Sequence, residues 1–255
     1  MKPVVSIVIP AFDEADRIGE PLAQIFEYIR SENLSAEVIV VDDGSSDNTS
    51  GVAKYAFALN ADIPARVIRY EPNRGKGYAV RTGLEAARGD VALFSDADLS
   101  TPIDEMPKLV KPILDGLYDV TFGSRALDRS LIGTHQPWRR EQGGKVMNLI
   151  IRTLSGLNFS DTQCGFKAFR MSAFGPLLPL MTIDRFGFDV EFLFVAQHHD
   201  LRLKEIPVRW NDVAGSKLSV FRDTRKVIAE LREIRRNAKN GQYDLKRDVL
   251  VAQPG

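Results

Sequence analysis

The sequence predicts an α/β fold with a mostly parallel central sheet flanked by helices. Up to about residue 125, short apolar runs typical of strands alternate with segments whose apolar residues recur at helical spacing. Such alternation implies parallel strands joined by right-handed crossovers, with helices on both faces of the sheet. With 255 residues, of which 44% are hydrophobic and 27% charged, the chain is long enough for one large domain with a substantial core, or for two small domains.

Three pairs of a strand and a helix open the chain. The apolar run at 4–9 predicts the first strand, and Pro10 is predicted to end it. Apolar residues then recur at helical spacing between Ile18 and Ile29. The remaining elements of this part are a strand at 37–41, a helix capped by Asp47 or Asn48 that runs to Leu59, a strand at 66–70 and a helix that ends at Ala87.

The next apolar run, Val91–Ser95, predicts a buried strand that ends in two carboxylates, Asp96 and Asp98. Alternation along an extended chain puts both on the same side, where they repel each other unless a cation lies beside them. Ligands bind at the carboxyl ends of strands in open α/β sheets. A hard divalent ion there takes its other ligands from water and substrate phosphates. The stretch therefore predicts the floor of a metal–nucleotide site.

After the central strand, the sequence predicts a helix containing Pro112 and then a strand at 120–122. Beyond residue 125 the chain becomes polar and leads into a stretch, 146–157, that is apolar on most of its circumference. Two interpretations of this stretch stay open. It is either a core helix or a helix lying in a membrane interface, with Trp138 and neighbouring arginines at headgroup level.

The second half contains further elements with polar residues at their ends. Asp189 and Glu191 lie inside a strongly apolar helix, where an unpaired buried charge costs several kcal/mol, so both are expected to have a partner or a ligand. Residues after Gly241 are interpreted as a tail. The other elements are a polar cluster at 161–167 followed by a short apolar run, a strand at 203–210 and a basic amphipathic helix at 219–240.

Polar residues follow strand after strand at the point where each strand ends. Because the carboxyl ends of parallel strands meet at one edge of a sheet, these residues are expected to lie together. A polar loop is ordinary after any single strand, but five in succession indicate a ligand site. The pairs are Asp13 and Glu14, Asp42 and Asp43, Arg74 and Lys76, Asp96 and Asp98, and Ser124 and Arg125.

The composition excludes several classes of protein. The 34 basic residues balance 34 acidic ones, so no overall positive charge attracts nucleic acid. The single cysteine, Cys164, excludes an internal disulfide framework and a cysteine-rich zinc site. No run reaches the roughly 18 apolar residues that a membrane span needs, and no signal peptide is recognisable. We expect a cytosolic protein, or one that lies on a membrane without crossing it.

Four stretches of the first half together resemble the family 2 glycosyltransferases, and the resemblance covers about residues 4–225. The family usually has Asn-Glu where this chain has Asp13-Glu14. The four stretches are SIVIPAFDE at 6–14, VVDDGSSD at 40–47, NRGKG at 73–77 and DAD at 96–98. The resemblance implies the nucleotide-diphosphosugar transferase fold, also called the glycosyltransferase-A type.

Two stretches of the second half narrow the resemblance. DTQCGFK at 161–167 and WNDVAGSK at 210–217 are similar to stretches of the polyprenyl- and dolichyl-phosphate sugar transferases. The similarity is greater to the glucosyl branch of that group than to the mannosyl branch. Ser100 stands where mannosyl members commonly have Gln, which favours UDP-glucose over GDP-mannose as the implied donor. Members of the group often carry transmembrane helices, whereas this sequence predicts none.

The residues implied to contact the donor lie mainly in the loops after the first four strands. For the base and ribose they are Pro10, Phe12, Glu14, Asp42 and Asp43. For the diphosphate or the sugar they are Arg74, Lys76 and Lys217. The implied cofactor is Mg²⁺ or Mn²⁺, bound by Asp96 and Asp98, and it would neutralise charge on the departing nucleoside diphosphate.

The acceptor decides which catalytic groups are needed. A phosphate monoester has a second pKa of about 6, so a lipid phosphate is already ionised and needs cations rather than a base. A hydroxyl acceptor needs a general base, for which Asp189 or Glu191 is the candidate; otherwise one of them would contact the sugar or orient an arginine. The cations implied to hold the phosphate are Arg125, Arg139, Arg140 and Lys167. The predicted catalytic set is Asp98, Arg125, Asp189 and Glu191.

The resemblance thus implies one glycosyltransferase domain at 1–240, with a donor half at about 1–125, an acceptor half at about 126–240 and a tail at 241–255. The implied reaction transfers a hexose with inversion from UDP-glucose to polyprenyl or dolichyl phosphate, giving a β-linked product. Two alternatives stay open: GDP-mannose as the donor, and a hydroxyl acceptor in glycan or polysaccharide synthesis. The expected location is peripheral, on the cytoplasmic face of a membrane.

Overall fold

The computed structural model describes residues 2–134, 138–211 and 220–245. Its α/β architecture, with a seven-stranded and mostly parallel sheet between helices, confirms the predicted fold class. The strands are β1 Val5–Ala11, β2 Ala36–Asp42, β3 Ala65–Arg69, β4 Val91–Ser95, β5 Val120–Ser124, β6 Ile132–Thr134, β7 Phe166–Arg170, β8 Leu203–Pro207 and β9 Trp210–Asn211. The helices are α1 Gly19–Ser31, α2 Thr49–Ala58, α3 Lys76–Ala86, α4 Met106–Leu114, α5 Trp138–Ser155, α6 Met171–Phe174, α7 Phe188–His198 and α8 Val220–Lys239.

The strand order in the large sheet is β3-β2-β1-β4-β7-β5-β8. The β7 strand comes from the second half of the chain, yet it lies between β4 and β5 and runs antiparallel to both. The remaining neighbours in this sheet pair in parallel. A separate two-stranded sheet is formed by β6 and β9. Consequently the two halves of the chain share one sheet.

Two hydrophobic clusters cover the two faces of the large sheet. Alternation along β1 sends Ile7 and Ile9 into the cluster with α1, α2 and α4, and Val8 into the cluster with α3, α7 and α8. The stretch at 146–157 contributes Met147 and Ile151 to the second cluster, in agreement with the core-helix interpretation, while Val146 and Leu149 are exposed. No helix among the described residues is both long and apolar enough to cross a membrane.

Two strand boundaries differ from the predictions. Pro10 does not end β1, which continues to pair with β2 as far as Ala11. The pairing of β1 with β4 stops at Val8 and Phe94, so the missing N–H of Pro10 removes no hydrogen bond on that side. The predicted strand at 203–210 is two strands: β8 ends at Pro207, and Trp210–Asn211 pairs with β6 instead.

The chain packs beyond Gly241, where the sequence predicts a tail to begin. Tyr243 is completely buried, and its hydroxyl donates to Glu191 on α7 at 2.7 Å. Its carbonyl lies 2.7 Å from Nε2 of His199. Residues 241–245 are therefore part of the folded domain, and the tail prediction is wrong for them; 246–255 lie outside the described residues.

At the sheet edge opposite the loops that follow β1, β2 and β4, Asp119 joins β5, β7 and β8. The Arg202 guanidinium donates to both Asp119 oxygens at 2.9 Å, and Arg170 Nε donates at 3.1 Å. Hydrogen bonds from Arg202, which outweigh the effect of burial, lower the pKa of Asp119 to about 2. This ion cluster ties the inserted strand to its neighbours.

Candidate active site

A cleft of about 390 Å³ opens at the carboxyl ends of β1, β2 and β4, beside the first turn of α3. It lies at the edge of the sheet where the sequence predicts a ligand site, as expected for an open α/β sheet. Its lining residues are Pro10, Ala11, Phe12, Glu14, Arg17, Asp43, Asn73, Gly75, Lys76, Ala79, Asp96, Ala97, Asp98, Arg185 and Phe186. Seven of the residues predicted for the donor or the metal are among them: Pro10, Phe12, Glu14, Asp43, Lys76, Asp96 and Asp98.

Asp43 organises the loop that follows β3. Its carboxylate accepts hydrogen bonds from the backbone N–H groups of Arg74 and Gly75, each at 2.8 Å, and from Asn73 Nδ2 at 2.8 Å. Gly75 has a φ of 114°, and an added Cβ would lie 2.5 Å from the carbonyl oxygen of Asp184. Only glycine fits this close approach, so the loop's glycine is required by the backbone.

Asp42, predicted to hold the base or ribose, does not line the cleft. It is fully buried, and its carboxylate accepts from the backbone N–H of Ser45 at 2.8 Å and from the hydroxyl of Ser50. Arg69 approaches the same carboxylate at 3.4 Å. Asp42 therefore shapes the turn before α2, and its neighbour Asp43 is the carboxylate that faces the cleft.

Glu14 lines the cleft in a two-point ion pair with Arg17. Arg17 Nε lies 2.5 Å from Oε2 of Glu14, and the terminal guanidinium nitrogen lies 2.7 Å from Oε1. The hydrogen bonding with Glu14 raises the pKa of Arg17. Arg17 was not among the predicted site residues, although its spacing three residues after an acid in a predicted site loop indicates such a pair.

Asp96 and Asp98 both line the floor of the cleft. Lys76 Nζ lies 2.6 Å from Oδ1 of Asp96, and the backbone N–H of Ser100 donates to Asp98 at 3.0 Å. Desolvation opposes the charged form of Lys76, but the Asp96, Asp189 and Asp98 carboxylates more than offset it and raise the pKa of Lys76. The predicted pair of carboxylates thus shares the site with one fixed positive charge.

The oxygen ligands of the cleft are suited to Mg²⁺ or Mn²⁺ that binds together with substrate phosphates. Asp96 and Asp98 offer oxygen ligands at the cleft, and the described residues contain no group of three or more His, Cys, Asp or Glu side chains arranged to hold a metal ion by themselves. Two carboxylates leave the remaining coordination positions to water and phosphate oxygens, which is how such ions usually bind beside nucleotides. These two residues would hold the ion.

Gly165, directly before β7, is in close contact with Asp96. Its carbonyl accepts the Asp96 backbone N–H at 3.0 Å. An added Cβ at position 165 would lie 2.0 Å from Asp96 Oδ2. The residue that precedes β7 therefore restricts the position of the Asp96 carboxylate at the floor of the cleft.

Arg125, predicted to be catalytic and to hold an acceptor phosphate, is paired with Asp161. Its Nε and terminal nitrogen lie 2.6 and 2.9 Å from the two carboxylate oxygens, and its guanidinium carbon lies 5.6 Å from the centre of the Trp210 ring. Burial favours the neutral form of Asp161, but Arg125 outweighs it, and the pKa of Asp161 is lowered. Arg125 is not among the residues that line the cleft.

Lys167, predicted to hold the acceptor phosphate, is in the core. Its side chain is 0% exposed, and Nζ donates to Asp189 Oδ1 at 2.5 Å and to the carbonyl of Cys164 at 2.6 Å. Burial raises the pKa of Asp189 in spite of this partner. A phosphate cannot reach Lys167 without displacing this buried pair, so the prediction for Lys167 is not supported. Asp189 acts electrostatically on Lys76 but is not among the residues that line the cleft.

Glu191, the other predicted catalytic acid, is also fully buried. It accepts from the backbone N–H groups of Thr182 and Ile183 at 2.8 and 2.9 Å, from the Thr182 hydroxyl at 2.8 Å and from Tyr243. Three of these bonds hold the chain before α7, and the fourth attaches the segment after α8. The geometry therefore assigns Glu191 a structural position rather than a place at the reacting groups.

The remaining predicted cations divide into two groups. Arg74 does not line the cleft: its guanidinium carbon lies 3.5 Å from the centre of the Tyr78 ring and it approaches Asp184 at 3.8 Å. Lys217 and the side chains of Arg139 and Arg140 lie outside the described residues. Arg185 and Phe186 also line the cleft and were not among the predicted site residues.

Comparison with known proteins is consistent with this geometry. The model of the family described as glycosyl transferase family 2 matches residues 6–178. The human dolichyl-phosphate beta-glucosyltransferase is 35% identical over 229 residues, which cover 85% of this chain and 70% of that protein. The Saccharomyces cerevisiae dolichyl-phosphate beta-glucosyltransferase is 33% identical over 250 residues, covering 91% and 74%.

Solved structures share the fold. The glucosyl-3-phosphoglycerate synthase of Mycobacterium tuberculosis superimposes with a TM-score of 0.65 at 22% identity, covering 91% of this chain and 80% of that one. The mannosyl-3-phosphoglycerate synthase of Rubrobacter xylanophilus also gives a TM-score of 0.65, at 21% identity, covering 96% and 77%. Another crystal structure of the M. tuberculosis enzyme contains Mn²⁺, uridine diphosphate and glucosyl-3-phosphoglycerate. The architecture is thus that of the glycosyltransferase-A type.

Proposed function

Because this chain belongs to glycosyltransferase family 2, we propose that it transfers glucose from UDP-glucose to polyprenyl or dolichyl phosphate. The observation that carries the donor part is the cleft at the strand ends, where Asp43, Asp96 and Asp98 line one continuous surface with Lys76. The names of its dolichyl-phosphate glucosyltransferase relatives support the choice of sugar and acceptor. We also propose that residues 1–125 supply most of the donor site and that the later part of the chain supplies the acceptor side.

The reaction requires the protein mainly to hold the two substrates in position. An oxygen of the lipid phosphate forms a bond to C1 of the sugar as the bond from C1 to the donor diphosphate breaks. The nucleoside diphosphate leaves with the electron pair, and attack from the opposite face inverts C1 to give a β-linked product. When bound by Asp96 and Asp98, a divalent cation would neutralise charge on the departing diphosphate. Lys76, held 2.6 Å from Asp96, adds a positive charge at the same place.

The state of the two predicted bases favours a phosphate acceptor over a hydroxyl. Asp189 is tied to Lys167 within the core, and Glu191 accepts four hydrogen bonds there. A general base must come within hydrogen-bond reach of the proton that it removes. An already ionised lipid phosphate needs no such group. Its lipid would bring the enzyme to a membrane surface, and we propose a peripheral position on the cytoplasmic face.

A donor and acceptor panel tests the proposal. The purified chain is incubated with Mn²⁺, polyprenyl phosphate in detergent, and UDP-glucose, GDP-mannose, UDP-galactose or UDP-N-acetylglucosamine in turn. We expect a lipid-linked hexose with UDP-glucose, and its loss when EDTA is added. Product with GDP-mannose alone would reassign the donor. Turnover only with hydroxyl acceptors, or no lipid-linked product with any donor, would overturn the proposal.

A further inference from the structure

Arg185 lies in the wall of the cleft, on the segment before α7. Its aliphatic stem packs on the loop after β3, since a Cβ added to Gly75 would lie 3.0 Å from Arg185 Cγ. The residue is exposed and lines the cleft together with Phe186. Within residues 2–134, 138–211 and 220–245, no hydrogen bond or ion pair engages its guanidinium. Arg185 therefore places a cation in the wall of the space that a substrate would occupy.

The other two cations of the cleft are already paired. Arg17 makes its two-point ion pair with Glu14, and Lys76 lies 2.6 Å from Asp96. Of the cations in the described lining, Arg185 is thus the one without a hydrogen bond or ion pair to a carboxylate of the protein. The Glu230 carboxylate interacts with it electrostatically without forming an ion pair. An incoming anion would find this guanidinium without having to break an existing pair.

The segment that carries Arg185 is fixed at its beginning. Glu191 accepts from the backbone N–H groups of Thr182 and Ile183. The Arg81 guanidinium donates to the carbonyl of Met181 at 2.9 Å and to Asp184 at 2.7 Å. These bonds join the segment to α7 on one side and to α3 on the other.

The same segment is fixed at the positions flanking Arg185. The backbone N–H of Tyr78 donates to the Asp184 carbonyl at 3.1 Å. Glu230 on α8 accepts from the backbone N–H of Gly187 at 2.7 Å. Because the backbone on each side is held by hydrogen bonds, the position from which Arg185 extends is set before any ligand binds. Such preorganisation reduces the entropy lost on binding.

We propose that Arg185 binds a phosphate group of the substrate pair, an inference that rests on the proposed function. Guanidinium groups match phosphate oxygens through two parallel hydrogen bonds, and they do so best where the charge is not already neutralised. The phosphate comes either from the diphosphate of the nucleotide sugar or from the lipid phosphate. Both sources meet at the reacting carbon, and the experiment below separates them.

The test uses binding of UDP alone, measured by calorimetry in the presence of Mn²⁺, and steady-state kinetics with the lipid phosphate varied. The variants are Arg185→Gln, which removes the charge at similar length, and Arg185→Lys, which keeps the charge without the two-point geometry. Arg88→Gln is the matched control, because Arg88 is also exposed but lies at the amino end of β4. Thermal melting of each variant reports whether it is folded.

If Arg185 binds the donor diphosphate, Arg185→Gln weakens UDP binding at least about tenfold and Arg185→Lys restores part of it. If it binds the acceptor phosphate, UDP binding stays at the wild-type level while the KM for the lipid phosphate rises by a similar factor. Unchanged UDP binding and unchanged KM in a folded Arg185→Gln variant would overturn the inference. A wild-type chain that binds no UDP and transfers nothing would instead overturn the proposed function, so the two failures are distinguishable.

Discussion

Gly165 and Asp96 touch through both backbone and side chain: the Gly165 carbonyl accepts the Asp96 N–H at 3.0 Å, and the Asp96 carboxylate fills the space that a Cβ at position 165 would need. One residue of the predicted acceptor half thus sets the position of a predicted metal ligand. The sheet order explains it, because β7 lies directly beside β4.

Gly165→Ala should therefore impair the donor site without unfolding the protein. The new methyl group would lie 2.0 Å from Asp96 Oδ2, so the carboxylate has to move away from its place at the cleft. We expect weaker Mn²⁺-dependent UDP binding, by about tenfold or more, measured by calorimetry. Gly144→Ala is the control, because a Cβ there meets nothing within 4 Å among the side chains that the structure describes. Wild-type binding by Gly165→Ala would show that Asp96 need not hold this position.

Asp98→Asn should abolish most of the turnover while leaving the fold intact. A bound divalent ion stabilises developing charge by several kcal/mol, so weakening its coordination is expected to lower kcat about 100-fold or more. The measurement is product formation over a Mn²⁺ titration, with Mn²⁺ binding followed by electron paramagnetic resonance. Asp90→Asn is the control, because this exposed carboxylate pairs with Lys2, away from the cleft. An Asp98→Asn enzyme with normal Mn²⁺ binding and turnover would contradict the assignment.

Glu191→Gln should lower stability and leave the chemistry of the folded enzyme largely unchanged. In the wild type, both carboxylate oxygens accept these hydrogen bonds, but the glutamine amide has only one oxygen. At least one of Thr182, Ile183 or Tyr243 therefore loses its acceptor. We expect a loss of about 1–3 kcal/mol in the free energy of unfolding, measured in urea. Tyr243→Phe, which removes one hydroxyl, should cost about 1 kcal/mol. Full stability with lost turnover in Glu191→Gln would instead place this carboxylate at the reacting groups.

Asp119→Asn should change how stability depends on pH. The Arg202 hydrogen bonds hold the pKa of Asp119 at about 2, below its ordinary value of 3.8, so the folded state takes up this proton less readily than the unfolded chain. The stabilisation is fully present above about pH 4 and is lost as the pH falls through about 2. We expect the variant to be about 1–2 kcal/mol less stable at pH 7, after allowance for solvent screening, with the difference shrinking towards pH 2.

The control for this experiment is Asp115→Asn, which breaks an exposed pair with Lys111 on the surface of α4. Such exposed pairs contribute at most about 1 kcal/mol. Chemical denaturation of wild type and both variants between pH 2.5 and 7 provides the comparison. A constant difference between wild type and Asp119→Asn over this range would show that the ion cluster does not carry the effect.

The strands and the site edge could be predicted because each depends on local pattern. The apolar run Val91–Ser95 has the observed strand bounds. Asp96 and Asp98 both line one cleft as expected, although a turn after the strand, and not alternation along it, places them there. Neighbouring residues such as Asp42 and Asp43 could not be separated in this way. Asp42 is buried and accepts the backbone N–H of Ser45, whereas Asp43 lines the cleft and accepts the backbone N–H of Arg74. This difference depends on how the two loops fold in three dimensions.

Long-range pairing limited the prediction of the second half. Nothing in the short run 166–170 indicates that it enters the middle of the sheet antiparallel, and only that position explains why Lys167 is buried beside Asp189. The burial of Tyr243 likewise depends on α7 being nearby. Arg185 could not be predicted from the sequence, because its place in the cleft wall depends on contact with Gly75, which is 110 residues earlier in the chain.

The insertion of β7 between β4 and β5 restricts how this enzyme could be recombined with its relatives. A chimaera joined near residue 125 would bring in a foreign β7, and with it a different surface against β4 and the loop that carries Asp96 and Asp98. Swapping the carboxy-terminal part to change the proposed acceptor side would therefore alter the proposed donor site as well. Engineers would do better to keep β7 and its preceding glycine from the parent that supplies the amino-terminal part.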